Sequence, residues 1–360
     1  MSKKRPGFEP SSGPEASILS VATAAPGYIL DQSLARELAG ALFGTALKDI
    51  ERLLPIFDNT GIRQRHLSRP VEWFEQSHTF PEVNLVHDGV ALELACEAVS
   101  KALSRAGLSP GEVDGLVYVC STGIATPTLD SKLIQELGMP AETFRVPVFG
   151  LGCGGGVAGL ARAADLARAR PGGVIVLAAV ELCSLTFQRG DLSKSNLVGT
   201  SLFGDGAAAV VIRTGQPGPA VVSSFSHLFD DSEGVMGWDL IESGFKVRFS
   251  KSIPGLVRAN VSELVEGSLG RAGLEPAQLR HFVFHPGGVK VLGAYQEGLG
   301  LDRESLIEGY EILRDYGNMS SPSVLFVLER YLERREPSDD YGLMLALGPG
   351  FSAEQVIFRW

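Results

Sequence analysis

Short apolar runs rich in β-branched residues alternate along this chain with segments of helical periodicity. In the first half the apolar runs cover residues 18–23, 115–120, 144–149, 174–180 and 207–212, and a helical pattern covers 90–103. In the second half, runs at 281–284, 343–347 and 355–358 alternate with helical patterns at 257–270, 289–298 and 321–331. The alternation predicts a layered α/β fold with buried strands, and no repeat of roughly 20–50 residues indicates a solenoid or propeller.

Proline and glycine interrupt both periodicities at 213–219, which divides the chain into two halves. We predict an N-terminal half over 17–213 and a C-terminal half over 220–360. Residues 1–16 are rich in Lys, Pro, Gly and Ser, and no apolar segment follows their basic residues as it would in a signal peptide. We therefore expect a disordered leader at 1–16 and a cytoplasmic protein.

The charge balance narrows the choice of partners. The 360 residues include 42 acidic and 32 basic side chains, which gives a formal net charge of −10. A nucleic-acid-binding protein needs a concentrated basic surface, so no nucleic-acid partner is expected.

The longest apolar run, at 174–180, is far shorter than the roughly 18 residues of a membrane span, so no transmembrane segment is predicted. The four cysteines form no C-x-x-C pair, so no metal site is predicted either.

One cysteine lies in a glycine-rich run between a predicted strand and a predicted helix. Cys153 is the centre of Gly150-Leu-Gly-Cys-Gly-Gly-Gly156, and an Ala- and Leu-rich helix follows to about Arg170. Free backbone N–H groups and the helix dipole favour a thiolate at such a helix N-terminus, so we expect a lowered thiol pKa and a nucleophile. A small core thiol among packing glycines is the alternative.

A nucleophilic thiol needs partners that can donate to a developing oxyanion. His285 ends the apolar run 281–284 and precedes Pro286-Gly-Gly288, so it lies on a turn that can aim its ring. Asn318, within Tyr316-Gly-Asn-Met-Ser-Ser321, precedes an apolar helix, where a helix N-cap is the alternative. The three residues together, in the order Cys, His, Asn, favour a catalytic trio.

These motifs, together with Leu202-Phe-Gly-Asp-Gly-Ala-Ala-Ala209, resemble those of the type III polyketide synthases, the chalcone-synthase-like enzymes. The resemblance extends from about Ile18 to the C-terminus. It implies a five-layered αβαβα thiolase-like fold of two similar halves, with the active site between them. It also implies an acyltransferase that acts as a homodimer.

The resemblance also implies roles for single residues. Cys153 would accept a starter acyl group from an acyl-CoA, while His285 and Asn318 would polarise the thioester carbonyl and stabilise the enolate that forms when malonyl-CoA loses carbon dioxide. Phe203 would shape the mouth of the pocket. No metal or redox cofactor is implied, because coenzyme A thioesters supply the chemistry. Arg63 and Arg65 are candidates for contacts with the coenzyme A phosphates.

The chain departs from the plant enzymes at several pocket positions. A second gating Phe is replaced by Val247, and a Met that crosses the dimer interface is replaced by Thr126. Two further cavity positions hold Ser121 and Cys183, while Thr186 is retained. Smaller side chains in a lining enlarge the space for substrate, so we expect a wider cavity.

Two segments, 181–188 and 234–239, are more similar to bacterial members that extend long fatty acyl starters into alkylpyrones or alkylresorcinols. A long acyl chain would need a buried apolar tunnel, because each CH₂ taken from water contributes about 0.8 kcal/mol. Trp238 would line or block that tunnel. We therefore expect repeated decarboxylative condensation of malonyl-CoA onto a long-chain acyl-CoA, followed by cyclisation.

Two other protein classes stay open. A ketoacyl-carrier-protein synthase III uses a similar trio for a single condensation, but such enzymes have His-Gln-Ala-Asn and Gly-Asn-Thr-Ser where this chain has His285-Pro-Gly-Gly and Gly317-Asn-Met-Ser. A catalytically silent scaffold is the second, although loss of activity would be expected to replace one of the trio. A Rossmann dehydrogenase is excluded, because the G-x-G-x-x-G spacing at 150–155 does not follow a strand near the N-terminus and has no acidic residue about 20 positions further on.

Overall fold

The computed structural model of the protein describes residues 14–360. Most of the predicted leader, residues 1–13, therefore lies outside the described residues. The predicted end of the leader at Ala16 is wrong. Ala16 is the buried first residue of the first strand and pairs with Thr214 and Val221, so the leader ends before it.

Thirteen strands lie within residues 14–360: β1 (Ala16–Ala24), β2 (Tyr28–Asp31), β3 (Gln64–Leu67), β4 (Val113–Val119), β5 (Phe144–Val148), β6 (Val174–Leu182), β7 (Asp205–Thr214), β8 (Ala220–Leu228), β9 (Met236–Ile241), β10 (Gly244–Phe249), β11 (Leu279–Phe284), β12 (Tyr341–Gly348) and β13 (Ser352–Arg359). Every predicted strand overlaps one of them. Arg213, predicted to begin the linker, belongs to β7, and the turn to β8 covers only 215–219.

Twelve helices accompany the strands in the described part of the chain: α1 (Gln32–Phe43), α2 (Ile50–Leu53), α3 (Pro55–Asp58), α4 (Val71–Phe74), α5 (Phe80–Arg105), α6 (Leu129–Leu137), α7 (Gly155–Ala169), α8 (Lys194–Leu202), α9 (Ile253–Ala272), α10 (Val289–Leu299), α11 (Ile307–Tyr316) and α12 (Ser321–Arg334). None of the helices within 14–360 is long and apolar enough to cross a membrane.

The large sheet has nine strands in the order β11-β12-β13-β8-β1-β7-β6-β4-β5. In the first half β4 is parallel to β6, which is antiparallel to β7, which is antiparallel to β1. In the second half β11, β12, β13 and β8 follow the same sequence of pairings. The two halves meet where Ala16 and Ser17 of β1 pair with Val221 and Ala220 of β8.

Two helices, α7 and α12, form the central layer and contact strands of both halves. Helices α5 and α6 cover the outer face of the first half, and α9 and α10 cover the outer face of the second. The predicted five-layered, thiolase-like α/β fold is therefore confirmed. A Cβ on Gly156 of α7 would lie 2.3 Å from the Ser321 carbonyl oxygen of α12, so the N-termini of these helices meet more closely than any side chain would allow.

Candidate active site

Cys153 lies in a single 3₁₀ turn, Gly152–Gly154, between β5 and the start of α7. The turn requires left-handed backbone at Gly150 (φ +88°) and Gly152 (φ +45°), which glycine adopts without steric cost. The Ser121 hydroxyl oxygen accepts the N–H groups of both glycines at 3.2 Å. The turn that carries the half-buried thiol is thus fixed by glycine conformation and by one serine.

The expected lowering of the Cys153 pKa is wrong. Burial raises the pKa of the thiol to about 11, and the Glu181 carboxylate raises it further. The Ser320 and Asn318 side chains and the backbone N–H of Cys153 act in the opposite direction, but they do not outweigh desolvation. The thiol is therefore protonated at neutral pH and needs a base to become a nucleophile.

His285 follows β11 and continues its pairing, because its backbone N–H donates to the Leu345 carbonyl at 2.8 Å. The imidazole is buried, and neither ring nitrogen has a hydrogen-bond partner among residues 14–360. Burial lowers the pKa of His285 to about 3, so the ring is neutral at physiological pH. A neutral imidazole with two free nitrogens can accept one proton and donate another.

Asn318 lies on the loop between α11 and α12, beside the residue that ends α8. Its backbone N–H donates to the Leu202 carbonyl at 2.8 Å, and its carbonyl accepts the Gly204 N–H at 3.0 Å. Its Nδ2 donates to the Gly287 carbonyl at 3.2 Å, on the turn that carries His285. Because α12 begins only at Ser321, Asn318 is not its N-cap. The loops of Cys153, His285 and Asn318 thus converge on one site.

Sequence reasoning missed a buried carboxyl group beneath this site. Glu181, in β6, accepts the Ser121 N–H at 3.0 and 3.1 Å, the Thr122 hydroxyl at 2.8 Å and the Ser321 hydroxyl at 3.1 Å. Burial raises the pKa of Glu181 to about 7, against these donors. The carboxyl group joins the loop after β4 to the start of α12. The sequence does contain a signal for this buried carboxyl group, because Glu181 directly follows the apolar run 174–180.

A cavity of about 560 Å³ adjoins Phe203. Four predicted pocket residues line it, namely Cys183, Thr186, Phe203 and Val247. The rest of the lining is mainly apolar and comes from β2, α1, β3, α4 and the segment from 187 to 200; its larger apolar members are Leu30, Leu38, Leu42, Phe43, Leu67, Val71, Phe74 and Phe187. The polar side chains of Thr45, Glu75 and Arg189 are exposed at its rim.

The other predicted pocket residues lie elsewhere. Ser121 supports the Cys153 turn from below. Thr126 is exposed on the loop after β4 of the single chain, outside the cavity. Trp238 also lies outside the lining; it pairs with Val247 in the β9–β10 hairpin and packs against Phe203, with ring centroids 5.7 Å apart. Trp238, in the separate two-stranded β9–β10 sheet, thus packs on Phe203 and is not among the residues that line the cavity.

The two arginines proposed to contact coenzyme A have different environments. Arg63 is exposed and forms an ion pair with Asp315. Arg65 is buried and lines the cavity, which does not suit contact with a phosphate in solvent.

Comparison with known proteins identifies the relatives of this chain. Models of the N-terminal and C-terminal domains of chalcone and stilbene synthases match residues 9–217 and 220–360. A putative chalcone synthase of Bacillus subtilis is 40% identical, over 96% of this chain and 99% of the relative. A 1,3,6,8-tetrahydroxynaphthalene synthase of Streptomyces peucetius is 42% identical, over 96% and 93%. The crystal structure of the Streptomyces coelicolor tetrahydroxynaphthalene synthase, a bacterial type III polyketide synthase, superposes with a TM-score of 0.92 at 29% identity, covering 96% of this chain and 99% of that one.

Proposed function

The chain belongs to the chalcone and stilbene synthase family and is a type III polyketide synthase, and we propose that it extends a long-chain acyl-CoA starter with malonyl-CoA. Cyclisation of the extended chain would give an alkylpyrone or an alkylresorcinol. The apolar cavity beside Phe203 is the observation that carries this proposal.

The cavity suits an aliphatic chain in size and lining. Its volume of about 560 Å³ lies within the usual range of roughly 300–1,000 Å³ for small-molecule sites. Each methylene group buried there would contribute about 0.8 kcal/mol, so ten would contribute about 8 kcal/mol. An acetyl or malonyl starter would gain little from the same surface. The cavity therefore favours long starters over short ones.

We propose that Cys153 is the nucleophile and that the neutral His285 is its base. His285 takes the thiol proton only as the sulfur bonds to the thioester carbon, because a thiol with a pKa of about 11 would not give its proton beforehand to an imidazole with a pKa of about 3. The Cys153 sulfur would form a bond to the thioester carbon, His285 would take the thiol proton, and the coenzyme A thiol would leave with a proton returned by the imidazole. In the decarboxylation of malonyl-CoA, His285 N–H and the second N–H of Asn318 Nδ2, which the Gly287 carbonyl leaves free, would stabilise the enolate oxygen. Loss of carbon dioxide supplies the carbon nucleophile, so we propose that no metal or redox cofactor takes part.

A second candidate starter is malonyl-CoA itself, which the 42% identity to a tetrahydroxynaphthalene synthase favours. Product analysis with acetyl-, octanoyl- and palmitoyl-CoA, each with malonyl-CoA, separates the candidates. Alkylpyrones or alkylresorcinols that contain the palmitoyl chain support the proposal. A product formed from malonyl-CoA alone in the presence of every starter contradicts it, and so does a single condensation.

Replacing Ala39 by tryptophan should shorten the starters that the enzyme accepts. Ala39 of α1 is buried and lines the cavity, so an indole there would occupy the space of several methylene groups. We expect kcat/KM for palmitoyl-CoA to fall about 100-fold, as the loss of roughly 3 kcal/mol of apolar burial would give, while that for acetyl-CoA changes little. Leu34→Trp on the exposed face of the same helix is the matched control. An equal loss for all starters would contradict the role of the cavity.

We also propose that the enzyme is a homodimer. Leu85, Ile124 and Phe149 are 75%, 43% and 60% exposed, and Leu85 adjoins Ile124 because Asn84 hydrogen-bonds the Ile124 backbone in both directions. The same loop carries Thr126. Such a group of exposed apolar residues favours an interface between subunits.

Sedimentation velocity tests the dimer. The wild-type chain should sediment as a dimer, and Leu85→Glu should weaken the dimer because it places a charge in the apolar interface. Leu228→Glu, at a residue 68% exposed on β8, should leave the dimer unchanged. A monomeric wild-type chain would refute the proposal.

A further inference from the structure

Arg65 is a buried cation that the proposed chemistry does not use. It lies on β3 and is only 3% exposed. Its Nη1 donates to the Phe203 carbonyl at 2.8 Å, while its Nε and Nη2 have no hydrogen-bond partner within residues 14–360. A buried guanidinium costs free energy unless it is paired. The bond to the Phe203 carbonyl is therefore the one hydrogen bond that offsets part of this cost within residues 14–360.

The buried carboxylate of Asp205 does not satisfy the guanidinium through hydrogen bonds. Asp205 attracts Arg65 electrostatically. Its oxygens, however, accept the backbone N–H groups of Ser68 and Ser184, each at 2.7 Å, and the Ser184 hydroxyl. The carboxylate of Asp205 therefore offsets the charge of Arg65 at a distance, and the only hydrogen bond of the guanidinium within residues 14–360 is the one from Nη1 to the Phe203 carbonyl.

The stem of Arg65 packs against two glycines that flank site residues. A Cβ on Gly317, which precedes Asn318, would lie 2.8 and 2.9 Å from Cγ and Cδ of Arg65. A Cβ on Gly204, which follows Phe203, would lie 3.5 Å from Cβ of Arg65. One side chain thus contacts both loops at the residues next to Phe203 and Asn318.

Those two loops are joined to each other by only a short bridge. It consists of the bond from the Asn318 N–H to the Leu202 carbonyl and the bond from the Gly204 N–H to the Asn318 carbonyl. The Phe203 carbonyl lies between these two bonds in sequence and is held by Arg65. The Arg65 guanidinium therefore holds the Phe203 loop at a third point. The Phe203 carbonyl that it binds faces away from the Asn318 backbone, whereas the Leu202 carbonyl and the Gly204 N–H face it.

We propose that Arg65 is a positioning residue, which fixes Phe203 and Asn318 relative to each other so that the Asn318 amide meets the enolate formed by decarboxylation. The inference rests on the proposed function, since it assigns Arg65 to one step of that reaction. Arg65 lines the cavity but acts through Asn318 and Phe203, and it is not expected to touch the reacting atoms of malonyl-CoA. A misplacement of a donor by about 1 Å can reduce the rate of a step by about 100-fold.

Arg65→Met tests this role, because methionine keeps an apolar stem but cannot donate to the Phe203 carbonyl. We expect kcat for malonyl-CoA decarboxylation to fall about 10- to 100-fold with little change in KM. Acylation of Cys153 by acyl-CoA, measured by intact mass, should remain within about 3-fold of wild type. Arg65→Lys, whose ammonium can still reach a carbonyl, should recover part of the decarboxylation rate.

Three results would overturn the inference. The first is a wild-type kcat in Arg65→Met, and the second is a rise in KM for both coenzyme A substrates at unchanged kcat, which would make Arg65 a phosphate contact. The third is an Arg65→Lys rate no higher than that of Arg65→Met. Should Arg65→Met fail to fold, Arg65→Lys alone must show a lowered kcat with normal acylation, and a wild-type kcat would refute the role. Absence of carbon dioxide release by the wild-type enzyme would instead refute the proposed function.

Discussion

Replacing Cys153 by alanine should abolish polyketide formation completely. The variant lacks the sulfur on which the starter and the growing chain would be held, and the neighbouring residues at the start of α7, Gly152, Gly154 and Gly155, have no side chain that could replace it. Incubation with palmitoyl-CoA should leave the mass of the protein unchanged, whereas the wild-type chain should gain one palmitoyl group. The loss expected is that of removing a covalent nucleophile, several orders of magnitude in kcat.

The same variant should keep the decarboxylation of malonyl-CoA. His285 and Asn318 reach the site from other loops, so the absence of the thiol does not remove the donors to the enolate. Cys96→Ala is the matched control, because Cys96 is a half-buried thiol of α5. It should give wild-type product and a wild-type adduct. A palmitoyl adduct on the Cys153→Ala protein would show that another residue is the nucleophile.

The fold could be predicted largely because its central strands are nearly pure apolar runs. In β6 and β7 almost every residue is buried, which gives a signal that does not depend on tertiary context. The strands that the sequence did not reveal are different. In β8 only the first two of nine residues are buried, and in β9 only the first of six. Such strands are ordered by their neighbours rather than by their own composition.

The candidate site could be located from motifs because glycine and proline mark the turns that carry its residues. Its electrostatics could not be predicted in the same way. The N-terminus of a helix favours a thiolate, yet at Cys153 burial acts more strongly, and burial depends on how α7 and α12 meet. The sequence shows the donors but not the exclusion of water. The sign of the pKa shift therefore required the structure.

The positions of Arg65, Glu181 and Trp238 show the same limit. Arg65 lies in a polar stretch typical of a surface, but the strand pairing of β3 turns its side chain inward. Glu181 is buried because three donors from two other segments converge on it. Trp238 covers Phe203 because the β9–β10 hairpin folds over it. In each case the environment is made by residues distant in the chain.

Replacing Asn318 by alanine should suppress decarboxylation of malonyl-CoA while sparing the acylation of Cys153. The carboxamide is held by the Gly287 carbonyl and by the Ser320 N–H, so its remaining N–H has a fixed direction before substrate arrives. A preorganised donor to an oxyanion contributes about 100- to 1,000-fold to kcat, and that is the loss expected in carbon dioxide release. Mass spectrometry should still detect the palmitoyl adduct on Cys153.

Asn318→Asp sharpens this test, since it keeps the shape of the side chain and replaces the donor by a carboxylate. A negative charge beside a developing enolate raises the barrier, so decarboxylation should fall at least as far as in Asn318→Ala. Asn260→Ala on α9, where the amide bonds only to the Leu256 carbonyl of its own helix, is the matched control and should release carbon dioxide at the wild-type rate. Unchanged release by both Asn318 variants would mean that the enolate is stabilised elsewhere. His285, buried with two unpaired ring nitrogens, would then be the remaining donor to the enolate. In that case His285→Ala alone should reduce the rate of carbon dioxide release by the full amount.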